Sequence, residues 1–241
     1  MEHSAGGKQG AVGLSTTPTQ GEIRAVGILD LTSVSAAEDF DGITAIRDVG
    51  LILVRESMAG RLGRVAMSAV GATVTVPDGN NVKIHTGVTE LSGQALSAPG
   101  HEDDVLVLAG PVIITGAVEQ VTYKALIING VLVAPKESQS VLSGSISRLN
   151  GVAAYYSGST PRVFTGSDHF SKAFFEYLDQ PITMVLAGDF TFEPDVTAEL
   201  LKQKVLELVV VGHLKAHRDL VPLVQVLAVA KAGKISALPD A

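Results

Sequence analysis

VLELVVVGHLKAHRDLVPLVQVL, residues Val205 to Leu227, reads as one turn of a repeat. An apolar run ends at Gly212, an alternating stretch follows from His213, and Asp219 opens a second apolar segment that carries Pro222 in its first turn. The period-two stretch predicts a strand, the glycine a bend, and the Asp-opened segment a short helix, since proline is tolerated only where a helix begins. The same order recurs as AVGILDL at Gly27, DVGLILV at Gly50, AVGATVTVP at Gly71, LAGPVIIT at Gly110, INGVLVAP at Gly130, LNGVAAYY at Gly151, LAGDFTFEP at Gly188 and KAGKISALP at Gly233. Weaker marks stand at Gly87 (IHTG) and Gly166 (VFTG).

Successive differences from Gly27 are 23, 21, 16, 23, 20, 21, 15, 22, 24 and 21 residues. The two short steps, at Gly87 and Gly166, lie 79 residues apart, and similar offsets separate Gly71 from Gly151 (80), Gly110 from Gly188 (78) and Gly130 from Gly212 (82). The chain therefore repeats twice over, as turns of about twenty residues grouped into four-turn superrepeats of about 80. Individual residues match as well: Val82-Lys-Ile-His-Thr-Gly87 aligns with Pro161-Arg-Val-Phe-Thr-Gly166, and Gly71 to Asp78 with Gly233 to Asp240.

A turn of this length cannot bury its apolar face alone, so turns must stack. Glycine at a fixed place in each turn permits a bend or a close backbone approach that a Cβ would resist. Asp195 to Lys204 and Asp219 to Leu227 predict helices on the return path, and Thr89 to Leu96 and Asp168 to Leu178 occupy equivalent places. The short steps leave room only for strand and turn, the turns falling at Pro77 to Asn81 and Ser157 to Pro161. The expected fold is an α/β repeat: one elongated solenoid of about ten turns over residues 22–241, with parallel strands, short helices on some return paths and a flexible tail over residues 1–21. At ~4.8 Å per strand such a stack is about 50 Å long. A parallel β-helix is the alternative.

On the turns of Val205 to Leu227, and over roughly Ile23 to Leu238, the chain resembles leucine-rich-repeat-like solenoids. It departs from their pattern in lacking the ladder asparagine and in placing Gly where Leu or Asn is usual. The resemblance implies a binding surface or scaffold rather than a catalyst, by analogy of fold.

Composition narrows the function. Apolar residues make up 46% and charged residues 18%, so the chain has the means to fold. Eighteen basic against 25 acidic residues give a formal charge of −7, which argues against nucleic acid or an anionic membrane as partner. The chain has no cysteine, which removes disulfides, thiolate metal sites and a thiol nucleophile and fits a cytoplasmic setting. Met1 to Gly21 has neither the basic start nor the apolar stretch of a secretory signal, and no apolar run approaches the ~20 residues of a membrane-spanning helix.

Candidate chemistry is sparse. His213 and His217 have the four-residue spacing of a helical metal pair, but the repeat places them on a strand, where they diverge. His101-Glu-Asp-Asp104 reads as a solvated loop and Asp168-His169 as a helix cap beside an imidazole. Arg47, Arg55, Arg61 and Arg64 are diluted by Asp48 and Glu56. No phosphate loop, nucleophile elbow or zinc-protease motif occurs. No catalytic residue, cofactor or metal is expected.

One concentration stands out: nine of the 11 aromatic residues lie between Tyr155 and Phe192. Phe170, Phe174 and Phe175, with Tyr177 beside them, predict either core filling or a contact surface. A second candidate contact is the last strand, with Ile235 and Leu238, because a solenoid end without a cap offers unpaired backbone to a partner. The expected function is a non-enzymatic scaffold that self-associates into an oligomer or filament, with a monomeric adaptor using the aromatic flank as the alternative.

Overall fold

The computed structural model describes residues 14–15, 21–158 and 161–239. Most of the expected tail, and Asp240 and Ala241, therefore lie outside the described residues. The described residues are mixed α/β, with three sheets of parallel strands and a few short helices, and among them no barrel closes. The described residues form two compact units, divided between Val82 and Lys83.

In the first unit, β1 (Leu14–Ser15), β2 (Gly21–Leu31), β3 (Ile43–Arg55) and β4 (Ala66–Val76) pair in that order, with α1 (Ala59–Leu62) on the path between β3 and β4. The pairs are parallel and nearly in register, Val26 beside Val49 and Val49 beside Val70. Leu29, Leu31, Ile46, Ile52, Val54 and Leu62 close its core. The Arg55 guanidinium donates to the Thr32 carbonyl at 3.0 Å and the Pro77 carbonyl at 2.8 Å, tying the ends of three successive turns.

The second unit contains two sheets. The first is ordered β5 (Asn81–Thr86), β7 (Asp104–Thr115), β8 (Ala125–Pro135) and β9 (Ile146–Tyr156), and β6 (Thr89–Ser92) also pairs with β7. Its helices are α2 (Gly93–Ser97) and α3 (Gln139–Ser145). The other sheet is ordered β10 (Arg162–Phe170), β11 (Ile182–Phe192), β12 (Val205–Ala216) and β13 (Ala228–Ala237), with helices α4 (Lys172–Glu176), α5 (Ala198–Lys204) and α6 (Val221–Leu227). Thr197 caps α5 by accepting from the Leu200 N–H, and Pro222 sits in the first turn of α6.

Alternation within each strand builds the layers. Leu106, Leu108, Ile114, Leu126 and Leu132 face one core with Leu96 and Leu142 of the helices, while Leu186, Leu208, Val210 and Leu214 face another with Phe175, Leu201 and Val224. The opposite faces meet each other: Ile113, Val133 and Tyr156 pack on Val185 and Val209. Each buried Val, Leu or Ile contributes about 1.5–3 kcal/mol relative to exposure. Tyr156 donates its hydroxyl to the Ile114 carbonyl at 3.0 Å, and burial pushes its phenol above the usual tyrosine range.

The structure corrects the sequence reading in two places. Strands fall into three sheets rather than one run, with Gly87 and Gly166 each opening a new ladder: no atom lies within 4 Å of where a Cβ on either would stand, whereas a Cβ on Gly110 or Gly188 would strike the carbonyl of Gly87 or Gly166. Two helix candidates also begin as strand. Asp168 to Phe170 belong to β10, paired with Phe190, Thr191 and Phe192, and Thr89 to Ser92 form β6, so only Lys172–Glu176 and Gly93–Ser97 are helical.

Candidate functional site

The repeat glycines set the frame. Gly110, Gly130 and Gly151 stand side by side across β7, β8 and β9, and Gly166, Gly188, Gly212 and Gly233 across β10 to β13. In the first unit a Cβ on Gly50 would meet the Gly27 carbonyl at 2.7 Å, and one on Gly71 the Gly50 carbonyl at 2.5 Å. Backbone is packed against backbone along each row.

Beyond the glycine row the two sheets of the second unit differ. In the first, Ile113 and Val133 are buried against the facing sheet. At the same offset from glycine, three residues on, the other sheet carries His169, Thr191, Lys215 and Ser236, and one residue after its glycines it carries Ser167, Asp189, His213 and Lys234. This half-face is largely exposed and bears a shallow hollow of about 400 Å³ lined by Ser167, His169, Asp189, Thr191, His213 and Lys215. A neighbouring hollow of about 730 Å³ adds Glu193, His217, Arg218 and Leu238.

Its titratable groups pair locally. His213 Nδ1 lies 2.9 Å from Asp189, with both side chains more than half exposed. His217 turns instead to Asp219 at 3.6 Å, so the two histidines do not converge. Asp168 accepts from the backbone N–H of His169 and is no helix cap. Among the described residues no group of three or more His, Cys, Asp or Glu is placed to hold a metal ion.

The other sequence candidates resolve as structure. Asp104, almost buried, receives Lys83 at 2.7 Å and His101 at 3.0 Å, and His101 stacks on Tyr123 at 4.6 Å. This cluster joins β5 to the start of β7. Hydrogen bonds from the backbone N–H groups of Glu102 itself and Gly100 hold the Glu102 carboxyl below its ordinary value. Arg47 pairs with Glu22 at 2.8 Å, while Arg61 and Arg64 line a hollow beside Phe40 and Asp41.

The aromatic concentration is mostly interior. Phe170 and Phe175 are buried and Phe174 packs on them; Phe170 meets Phe164 and Phe192 edge-on at 5.0 and 6.0 Å and stacks on Phe190 at 5.8 Å. Only Tyr177, 87% exposed, is left as contact surface. Ile235 is likewise buried in that core, and Leu238 is half-buried with its N–H bonded to the Ala216 carbonyl.

What remains open is strand edge. Among the described residues β9 pairs only with β8, and β13 only with β12. Both are much more exposed than the strands beside them, and the two lie next to each other. The sequence reading found the β13 edge but missed β9, although both are fourth strands counted from a short glycine step. No family model, curated protein or solved structure matches this chain. Among the described residues no helix is long and apolar enough to cross a membrane.

Proposed function

We propose that this is a non-enzymatic structural protein of the cytoplasm, built from leucine-rich-repeat-like turns coiled into short solenoids, which self-associates into an oligomer or filament. It needs no cofactor or nucleic acid. The observation that carries this reading is the pair of adjacent open edges, β9 and β13. Unpaired N–H and C=O rows are templates for another strand unless charge, proline or a covering element blunts them. Neither strand contains proline within its run, and β9 has one charged residue, Arg148, in 11. β13 is blunted only by Lys231 and Lys234.

Size-exclusion chromatography with light scattering, followed by negative-stain imaging, tests this reading. Concentration-dependent multimers are expected; a monomer at high micromolar concentration overturns it. The adaptor alternative now rests on Tyr177 alone, and a Tyr177→Ala variant that lost a protein partner while remaining monomeric would favour it.

A further inference from the structure

We infer that the partner of these edges is a second copy of the same chain, joined head to tail: β9 of one molecule pairs in parallel with β5 and β6 of the next, and β13 with β10. This rests on the self-association reading and adds its partner surface and register. Strand order places β5 and β10 at the opposite ends of their sheets from β9 and β13. Because strands within each sheet run parallel, a following copy needs no reversal to continue either ladder, and β9 and β13, which lie next to each other, offer the two ends together.

The glycine rows supply the register. Inside each sheet the later glycine sits with its Cβ position against the carbonyl of the earlier one, as Gly110 does on Gly87 and Gly188 on Gly166. Gly87 and Gly166 open their rows and have nothing within 4 Å of that position. Their φ of +79° and +88° already calls for glycine, and the open space additionally accommodates the carbonyl of a preceding row. In a head-to-tail pair those carbonyls come from Gly151 and Gly233, the last members of the same two rows.

Side chains agree with this register. Val88 and Val152 each follow the glycine of an end strand by one residue, and they are 44% and 52% exposed. Between them at the same offset stand Pro111 and Val131, so pairing makes Val152 of one copy the neighbour of Val88 of the next and completes an apolar row. In the other sheet the matching ends are Lys234 and Ser167, which are polar and compatible. The helix layer ends in the same way, with Tyr177 after α4 at 87% and Val226 on α6 at 80% exposure. Such an interface is heterologous, and it propagates unless its rotation closes a ring.

The natural absence of cysteine makes register directly readable. Parallel neighbours stand ~4.8 Å apart, within disulfide reach. Val88→Cys and Val152→Cys are introduced in separate molecules, mixed and oxidised; a covalent dimer is expected from the mixture and not from either alone. Ser167→Cys with Lys234→Cys should behave likewise, whereas Val88→Cys with Lys234→Cys, which lie on different sheets, should not. The double variant Val88→Cys/Val152→Cys should give a ladder of covalent multimers on a non-reducing gel. Multimers by light scattering without these cross-links, or equal cross-linking in the mismatched pair, overturn the register while self-association stands. A monomer at high micromolar concentration overturns both.

Discussion

The two units solve one backbone problem differently. In the second, glycine itself carries the bend: Gly110, Gly130, Gly151, Gly188, Gly212 and Gly233 have φ between +123° and +151°. In the first, the positive φ falls two residues earlier, on Ala25, Asp48 and Ala69 at +53° to +54°, and Gly50 and Gly71 keep ordinary backbone angles. Close approach demands glycine in both units, but only the second also uses its conformational freedom. The first unit instead places three L-residues in the left-handed region, at ~1–2 kcal/mol each.

The sharpest way to break this comparison is Gly130→Val, which adds left-handed strain to a collision with the Gly110 carbonyl. We expect more than ~3 kcal/mol of destabilisation by denaturant unfolding. Gly71→Ala isolates the collision without the strain, and its expected cost is about 2 kcal/mol. A loss as large as that of Gly130→Val would show that conformational freedom contributes nothing.

Tyr156→Phe keeps the ring that packs between the two sheets of the second unit and removes the hydroxyl that bonds to the Ile114 carbonyl within its own sheet. Removing its hydroxyl should cost about 1 kcal/mol near neutral pH. Because the folded protein raises this phenol's pKa, its stabilising effect is complete below the unfolded value of ~10 and is lost as pH rises from there through the folded value. Wild type should therefore lose more stability than Tyr156→Phe in an alkaline series, and parallel curves would refute the burial argument. The smallest expected effect is a gain: Ala69→Gly relieves left-handed strain at the expense of chain entropy, for a net rise of about 0.5–1 kcal/mol. Thermal melts of Ala69→Gly beside Asp48→Gly would resolve it, with the smaller gain at Asp48 because Asp tolerates this region better than Ala.

Glycine spacing made the strands and their parallel stacking legible, since period-two alternation around a fixed landmark is a local signal. The breaks between sheets were harder to read. IHTG at Gly87 and VFTG at Gly166 look like weak ordinary turns, and only the missing backbone neighbour distinguishes them. Phe170, Phe174 and Phe175 misled because helical spacing was counted from Asp168. Aligning Gly166-Ser-Asp-His-Phe170 with Gly188-Asp-Phe-Thr-Phe192 would have assigned Phe170 to a strand and left only the later residues to α4. The polar half-face could not be read at all, because a row of His, Thr, Lys and Ser gains its meaning from the facing sheet that covers its apolar counterpart, Ile113 and Val133.

Each strand of the second unit's ladders finds its partner one short turn along the chain: 20 residues from Gly110 to Gly130, 21 to Gly151, and 22, 24 and 21 from Gly166 through Gly233. Closing loops of this length costs little entropy, and each closure is nearly the same length as the one before it. Folding of either sheet is therefore a sequence of similar small steps rather than one distant search. The long-range closures are different: the Tyr156 hydroxyl reaches back 42 residues to Ile114 across its own sheet, and where the sheets dock the Ser157 N–H reaches forward 50 to Glu207. Parallel sheets fold slowly when their strands lie far apart in sequence, and in this chain that slow step belongs to docking rather than to strand pairing.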